Sequence, residues 1–228
     1  MSRPKKRSRT QGNIAVDAAE LEEMLKSGAE ELGVQLTERQ VRQFMDYLGL
    51  LSKWGAVYSL TGILEPKKMV RQHLLDSLTV VPALKERSRL ADVGSGAGLP
   101  GIVLAVIYPD MEVYLIEATR KKSAFLSEVR AQLDLKNVRV ITERVEKWQD
   151  EKGFDAIISR AFSDLARFAE VTEHLLADGG ALYAMKGTLP EAEIVDLSAR
   201  LKVKSVIRLK VPFMEAKRHL LVMEKSVD

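Results

Sequence analysis

"LADVGSGAGLPG", residues 90–101, sets four glycines behind a short apolar run, and "GIVLAVIY" (101–108) continues at once with helix-compatible residues. A strand that turns on glycines into a helix opens a parallel α/β sheet, and its turn is where a dinucleotide or nucleoside binds. Gly94, Gly96 and Gly98 let the backbone turn tightly and approach such a ligand closely. Asp92 stands two positions before Gly94 and complicates a phosphate reading. A buried carboxylate would repel a pyrophosphate by roughly several kcal/mol at low effective dielectric. It suits a cation instead.

The pattern downstream keeps alternating. "RLADV" (89–93), "EVYLIE" (112–117), "NVRVIT" (137–142), "FDAIIS" (154–159) and "ALYAMK" (181–186) read as strands. "RKKSAFLSEVRAQLD" (120–134), "LARFAEVTEHLLA" (165–177) and a stretch from near Pro190 read as helices, the second closed by Asp178-Gly179-Gly180. "VKSVIRLKVPF" (203–213) and "RHLLVMEK" (218–225) form a terminal antiparallel pair. Alternation of this kind predicts a mostly parallel, seven-stranded α/β sheet with helices on both faces.

Upstream the periodicity is helical. "LEEMLKSGAEELGV" (21–34) ends at Gly33, and "LTERQVRQFMDYLGLLSKW" (36–54) opens with Thr37 and Gln40 at capping-box spacing. "GAVYSLTGI" (55–63) reads as a loop, and "PKKMVRQHLLDSLTVVPAL" (66–84) as a helical pair broken at Pro82. The chain therefore divides into a basic, disordered tail (1–12), a helical N-terminal extension (13–87) and a cofactor-binding domain (88–228).

With 228 residues, 46% apolar and 29% charged, the composition is that of a globular protein. The longest apolar run, 101–107, falls far short of the ~20 residues of a membrane-spanning helix. The absence of cysteine fits a reducing cytoplasm, and no membrane partner is expected. Arg3, Lys5, Lys6 and Arg7 crowd the N-terminus, either as a solubilising tail or as an arm along a phosphate backbone.

Glu117 ends the second strand, 19 residues after Gly98, where an acid accepts hydrogen bonds from both ribose hydroxyls. Two carboxylates and no phosphate requirement describe S-adenosylmethionine, which carries an ammonium, a sulfonium and a ribose. The arrangement Asp-x-Gly-x-Gly-x-Gly with an acid one strand later resembles motifs I and II of class I methyltransferases, a Rossmann-like fold. Competing readings are an NAD-dependent oxidoreductase, and a non-catalytic RNA-binding module on the same fold.

"WGAVYSLTGI", "HLLDSL", "DVGSGAGLPGIVLA", "KKSAFL", "RVEKW", "FDAIISRAF" and "YAMKG" occur in this order from about residue 36 onward. In this the chain resembles the small-subunit ribosomal RNA methyltransferase G family (glucose-inhibited division protein B). The resemblance implies N7-methylation of a guanine in small-subunit (16S) ribosomal RNA. It also implies cofactor contacts at Gly94 and Leu99, at Val145 and Glu146 beside the adenine, and at Arg160 bordering the active site. Ala97 stands where many relatives have proline.

Residue chemistry narrows the acceptor independently. Methylating a pyrimidine carbon needs a thiolate, and the chain has none. An exocyclic amine is usually held by an Asn/Asp-Pro-Pro-aromatic turn, and the corresponding positions are Ser159-Arg160-Ala161-Phe162. Guanine N7 keeps an in-plane lone pair, so it needs alignment and no general base. Arg160 and Phe162 are the candidates for aligning the substrate. Phe162 would stack on the base or pack in the core, and Lys186 and Arg218 would meet RNA or solvent. His73 and Asp76 lie one helical turn apart and read as a structural pair, as do His174 and His219 singly. No metal is expected, and the chain is expected to act as a monomer.

Overall fold

The computed structural model describes residues 10–160, 162, 164–195, 197 and 201–226, so Arg3, Lys5, Lys6 and Arg7 lie outside the described residues. Helix α1 (Thr10–Glu31) begins inside the stretch expected to be tail. Helix α2 (Glu38–Tyr58) starts on the predicted capping box. Thr37 Oγ1 accepts from the Gln40 N–H at 3.3 Å, and Gln40 Oε1 accepts from the Thr37 N–H at 2.9 Å. It continues past Trp54 into the expected loop and stops at Ser59, whose φ of 52° is left-handed.

Residues 66–78 form one helical run: α3 (Pro66–Met69), a π-helical turn (Val70–Leu75) and α4 (Asp76–Leu78). Pro82, expected to break a helix, instead lies in the first turn of α5 (Val81–Leu84), where its missing N–H costs no hydrogen bond.

Seven strands follow: β1 (Arg89–Val93), β2 (Glu112–Ile116), β3 (Val138–Ile141), β4 (Phe154–Ser159), β5 (Leu176–Lys186), β6 (Leu201–Leu209) and β7 (Arg218–Lys225). Their order across the sheet is β3-β2-β1-β4-β5-β7-β6, with β7 antiparallel to both neighbours. Between them run α6 (Gly101–Ile107), α7 (Arg120–Gln132), α8 (Leu165–Thr172) and α9 (Glu191–Val195). Asp178-Gly179-Gly180 does not close a helix. α8 ends at Thr172, and these residues lie within β5, where pairing with β4 jumps from Phe154↔Leu176 to Ala156↔Ala181. The extra residues are accommodated as an irregularity, with Gly179 at φ 72°.

The strands alternate between two apolar clusters, as a sheet covered on both sides must. Leu90, Leu115, Ile158 and Tyr183 belong to one, Ala91, Ile116, Ile157 and Leu182 to the other. The first cluster also takes in Phe44, Tyr47, Leu51, Leu74 and Leu78 from the N-terminal helices. The core therefore runs straight across the 87/88 boundary. Asp92 shares a strand face with Leu90, which directs a carboxylate toward that joint core.

Candidate cofactor and substrate site

Strands β2 and β3 extend from one side of β1, and β4 and β5 lie on the other. The loops leaving β1 and β4 therefore border the crevice where order reverses, the usual ligand position in open α/β sheets. The glycine loop there is held by its own amides. Gly94 and Ser95 N–H donate to the Ile116 carbonyl at 2.9 and 3.3 Å, and Gly98 and Leu99 N–H to the Ser95 carbonyl at 2.7 and 3.2 Å. Gly98 has φ 89°, and a Cβ there would lie 2.5 Å from Ile102 Cγ1 and 2.8 Å from Leu126 Cδ2. Glycine is required at this position on both counts.

The two carboxylates complete the loop. Glu117 is buried, and its Oε2 accepts from Gly96 N–H at 3.0 Å while Oε1 accepts from Thr119 N–H at 2.8 Å. It splints the loop after β1 to the loop after β2. Asp92 is only 1% exposed, and its Oδ2 accepts from Gly101 N–H at 2.9 Å at the start of α6. Its Oδ1 is buried without a hydrogen-bond partner. Burial pushes the Asp92 carboxyl up to about 7, and nearby Glu117 adds to the shift, while the Gly101 amide and Arg160 oppose it.

These bonds decide what the loop can hold. The amides of Gly94, Ser95, Gly96, Gly98, Leu99, Gly101 and Ile102 all donate to protein acceptors. A pyrophosphate would therefore find no row of free N–H groups, and it would meet two buried carboxylates. A nucleoside with a cationic tail fits. Glu117 keeps lone pairs for ribose hydroxyls, and the orphaned Asp92 Oδ1 is an acceptor in search of a positive partner. Asp92 also does something unforeseen in the sequence, since it anchors the first turn of α6 from below.

Beside the loop, three cations gather along the carboxyl edge of the sheet. Arg160 follows β4 directly, and its Nη1 donates to Asp76 Oδ2 at 3.2 Å and to the Gln72 carbonyl at 3.3 Å. Arg218 opens β7, and its Nε donates to Asp76 Oδ1 at 2.9 Å. Lys186 ends β5 and donates to Glu193 Oε2 at 2.8 Å. All three line a cavity of about 340 Å3, with Gln72, His73 and Asp76 from the helical run on its wall. His73 Nε2 lies 3.0 Å from Thr61 Oγ1, and burial, followed by the charge of Arg160, holds its pKa below that of a free imidazole.

The structure thus brings Arg160, Lys186 and Arg218 together, and it adds Asp76, which the sequence offered only as a partner for His73. Phe162 is not among the cavity-lining residues. It packs at the second cluster with its ring 5.2 Å from that of Phe168. Val145 is buried in that cluster alongside Val93 and Ile116, at the ends of β1 and β2. Glu146 lies at the surface and pairs with Arg167 at 2.8 Å. Leu99 is buried in the first cluster. His174 meets the Trp148 carbonyl at 3.1 Å and His219 the Gly187 carbonyl at 3.2 Å. Among the described residues no group of three or more His, Cys, Asp and Glu could hold a metal ion, and no helix is long and apolar enough to cross a membrane.

Comparison with known proteins bears on the same elements. Residues 40–221 match the family model described as rRNA small subunit methyltransferase G. The chain is 46% identical to the ribosomal RNA small subunit methyltransferase G of Janthinobacterium sp. (strain Marseille), over 93% of this chain and 99% of that one. It is 49% identical to the protein of the same name from Burkholderia ambifaria (strain MC40-6), over 91% and 93%. Among solved structures, a SAM dependent methyltransferase from Aquifex aeolicus superposes with a TM-score of 0.54 at 20% identity, covering 70% of this chain and 93% of that one. That likeness concerns the fold, which is the α/β fold of class I methyltransferases.

Proposed function

Since the chain belongs to the rRNA small subunit methyltransferase G family, we propose that it methylates N7 of a guanine in 16S ribosomal RNA with S-adenosylmethionine as donor. The observation that carries the cofactor is the loop whose Gly94, Gly96, Gly98 and Gly101 amides all donate to protein acceptors and whose flanks are carboxylates. That loop disfavours NAD, and with it the oxidoreductase reading. When bound, S-adenosylmethionine supplies an electrophilic methyl group on a sulfonium sulfur. Glu117 holds the ribose, Asp92 offers its free oxygen to the cationic methionine end, and Val145 provides an apolar wall for the adenine.

The substrate side is read from the edge cavity. Arg160 and Arg218 present guanidinium N–H groups to the purine or its phosphate, and Lys186 adds a third donor. The reading asks nothing of the cavity's two possible bases, Asp76 and His73. Asp76 is bonded to two arginines, and His73 is bonded to Thr61 through Nε2 while its Nδ1 is buried without a partner. Guanine N7 carries no proton to remove, so alignment in a pocket that excludes water is sufficient.

In this reading the enzyme works in the cytoplasm as a monomer, and the basic residues Arg3, Lys5, Lys6 and Arg7 track the RNA backbone. Incubation with methyl-labelled cofactor and 16S RNA lacking the modification should place label on a guanine that becomes sensitive to N7-specific cleavage. Label on an exocyclic amine or a ribose would refute the assignment. Removing residues 1–12 should weaken RNA binding more at low salt than at high salt.

A further inference from the structure

Asp76 is 2% exposed, yet both of its oxygens are occupied by arginines, one directly after β4 and one opening β7, a strand not adjacent to β4. The Arg160 and Arg218 side chains remain 29% exposed, and both line the cavity. An anchor for one arginine would need only one of those bonds. The helical run spends a buried carboxylate here, directly after its π-helical turn.

We propose that Asp76 is a charge-balancing and positioning residue for the methyl acceptor, an inference that rests on the guanine reading above. The reaction itself gives the reason. The N7 lone pair forms a bond to the methyl carbon as the carbon–sulfur bond breaks, and the purine ring gains the positive charge that the sulfonium loses. Two unbalanced guanidiniums beside that ring would bind RNA well and oppose the step that follows. Their field would rise against the cation as it forms. Asp76 cancels one of the two charges and fixes both guanidinium planes, so directed N–H donors remain while the repulsion is halved. Glu193 stands in the same relation to Lys186, at 2.8 Å.

This assigns opposite kinetic signatures to the carboxylate and to its arginines. Asp76→Asn should bind 16S RNA as tightly as wild type or more tightly, while turnover at saturating RNA falls roughly tenfold. Asp76→Glu, which restores the charge, should recover most of that turnover. Arg218→Gln should raise KM for RNA severalfold and leave kcat within about twofold. RNA binding is read by fluorescence anisotropy without turnover, S-adenosylhomocysteine binding by calorimetry, and folding by the melting midpoint. A purely structural Asp76 would lower the midpoint, weaken RNA and cofactor binding together, and be rescued in neither. That result, or Asp76→Asn with unchanged kcat, overturns the inference.

Should Asp76→Asn fail to fold, Arg218→Gln decides alone, and a kcat loss at saturating RNA larger than the rise in KM rejects the proposal. Wild-type protein that labels no guanine overturns the function and this inference together. Wild-type turnover without the split in the variants overturns the inference only.

Discussion

Tyr47 and Ala97 meet across the boundary between the helical extension and the sheet: the Tyr47 hydroxyl, fully buried, donates to the Ala97 carbonyl at 2.8 Å. The glycine loop thus takes one of its supports from α2. Tyr47→Phe leaves that carbonyl without its partner, at a cost of about 1 kcal/mol. The variant should unfold at lower denaturant and bind S-adenosylhomocysteine severalfold more weakly, read by urea titration and calorimetry. Cofactor affinity equal to wild type would mean that the extension supports the core only.

Glu117→Gln keeps the size of the side chain but offers one amide group where two backbone N–H groups need acceptors. Loss of the splint and of charge-assisted ribose bonds should weaken S-adenosylhomocysteine by roughly 1–3 kcal/mol. Calorimetry measures it, and an unchanged dissociation constant would remove Glu117 from the ribose.

Asp92 makes stability depend on pH in a defined direction. Its carboxyl is raised from 3.8 to about 7, so the folded state holds the proton more tightly than the unfolded state. The associated stability is complete below 3.8, declines as pH rises toward 7, and is then lost at a cost on the order of 4 kcal/mol. Asp92→Asn should therefore stabilise the free protein at pH 8 and do little at pH 4. Binding of the ammonium-bearing S-adenosylhomocysteine favours the ionised form, so wild-type affinity should rise from pH 6 to 8 and that of the variant should stay flat. Urea titrations and calorimetry at the two ends of each range test both statements.

Gly98→Ala places a methyl group against Ile102 and Leu126 in a backbone with φ 89°. The strain and crowding together should cost about 1–3 kcal/mol. Cofactor binding should fall in parallel, measurable as a smaller thermal shift with S-adenosylhomocysteine.

The order of elements is legible in the sequence because strand and helix periods differ and because caps are local, as at Thr37 and Gln40. So is the pairing of the glycine loop with Glu117, one strand apart. The face of Asp92 is legible in principle from its alternation with Leu90, although α6 and Gly101 as its partners are not. Asp76 and Arg218 are 142 residues apart, and their bond exists only because β7 inserts between β5 and β6. The one local sign was an acid in "HLLDSL", surrounded by apolar residues with no cation in the same turn. Pro82 and the Asp178-Gly179-Gly180 stretch misled for a related reason. Each can start, stop or kink an element, and tertiary pairing chooses among them.

The glycine loop is closed on itself, with the amides of Gly94, Ser95, Gly96, Gly98 and Leu99 paired within the protein and its turn braced by Glu117 and Tyr47. A loop held this firmly by its own protein should lose little chain entropy when a cofactor binds. Differences in affinity among cofactor analogues will accordingly appear in how long they stay. How fast they arrive will hardly vary.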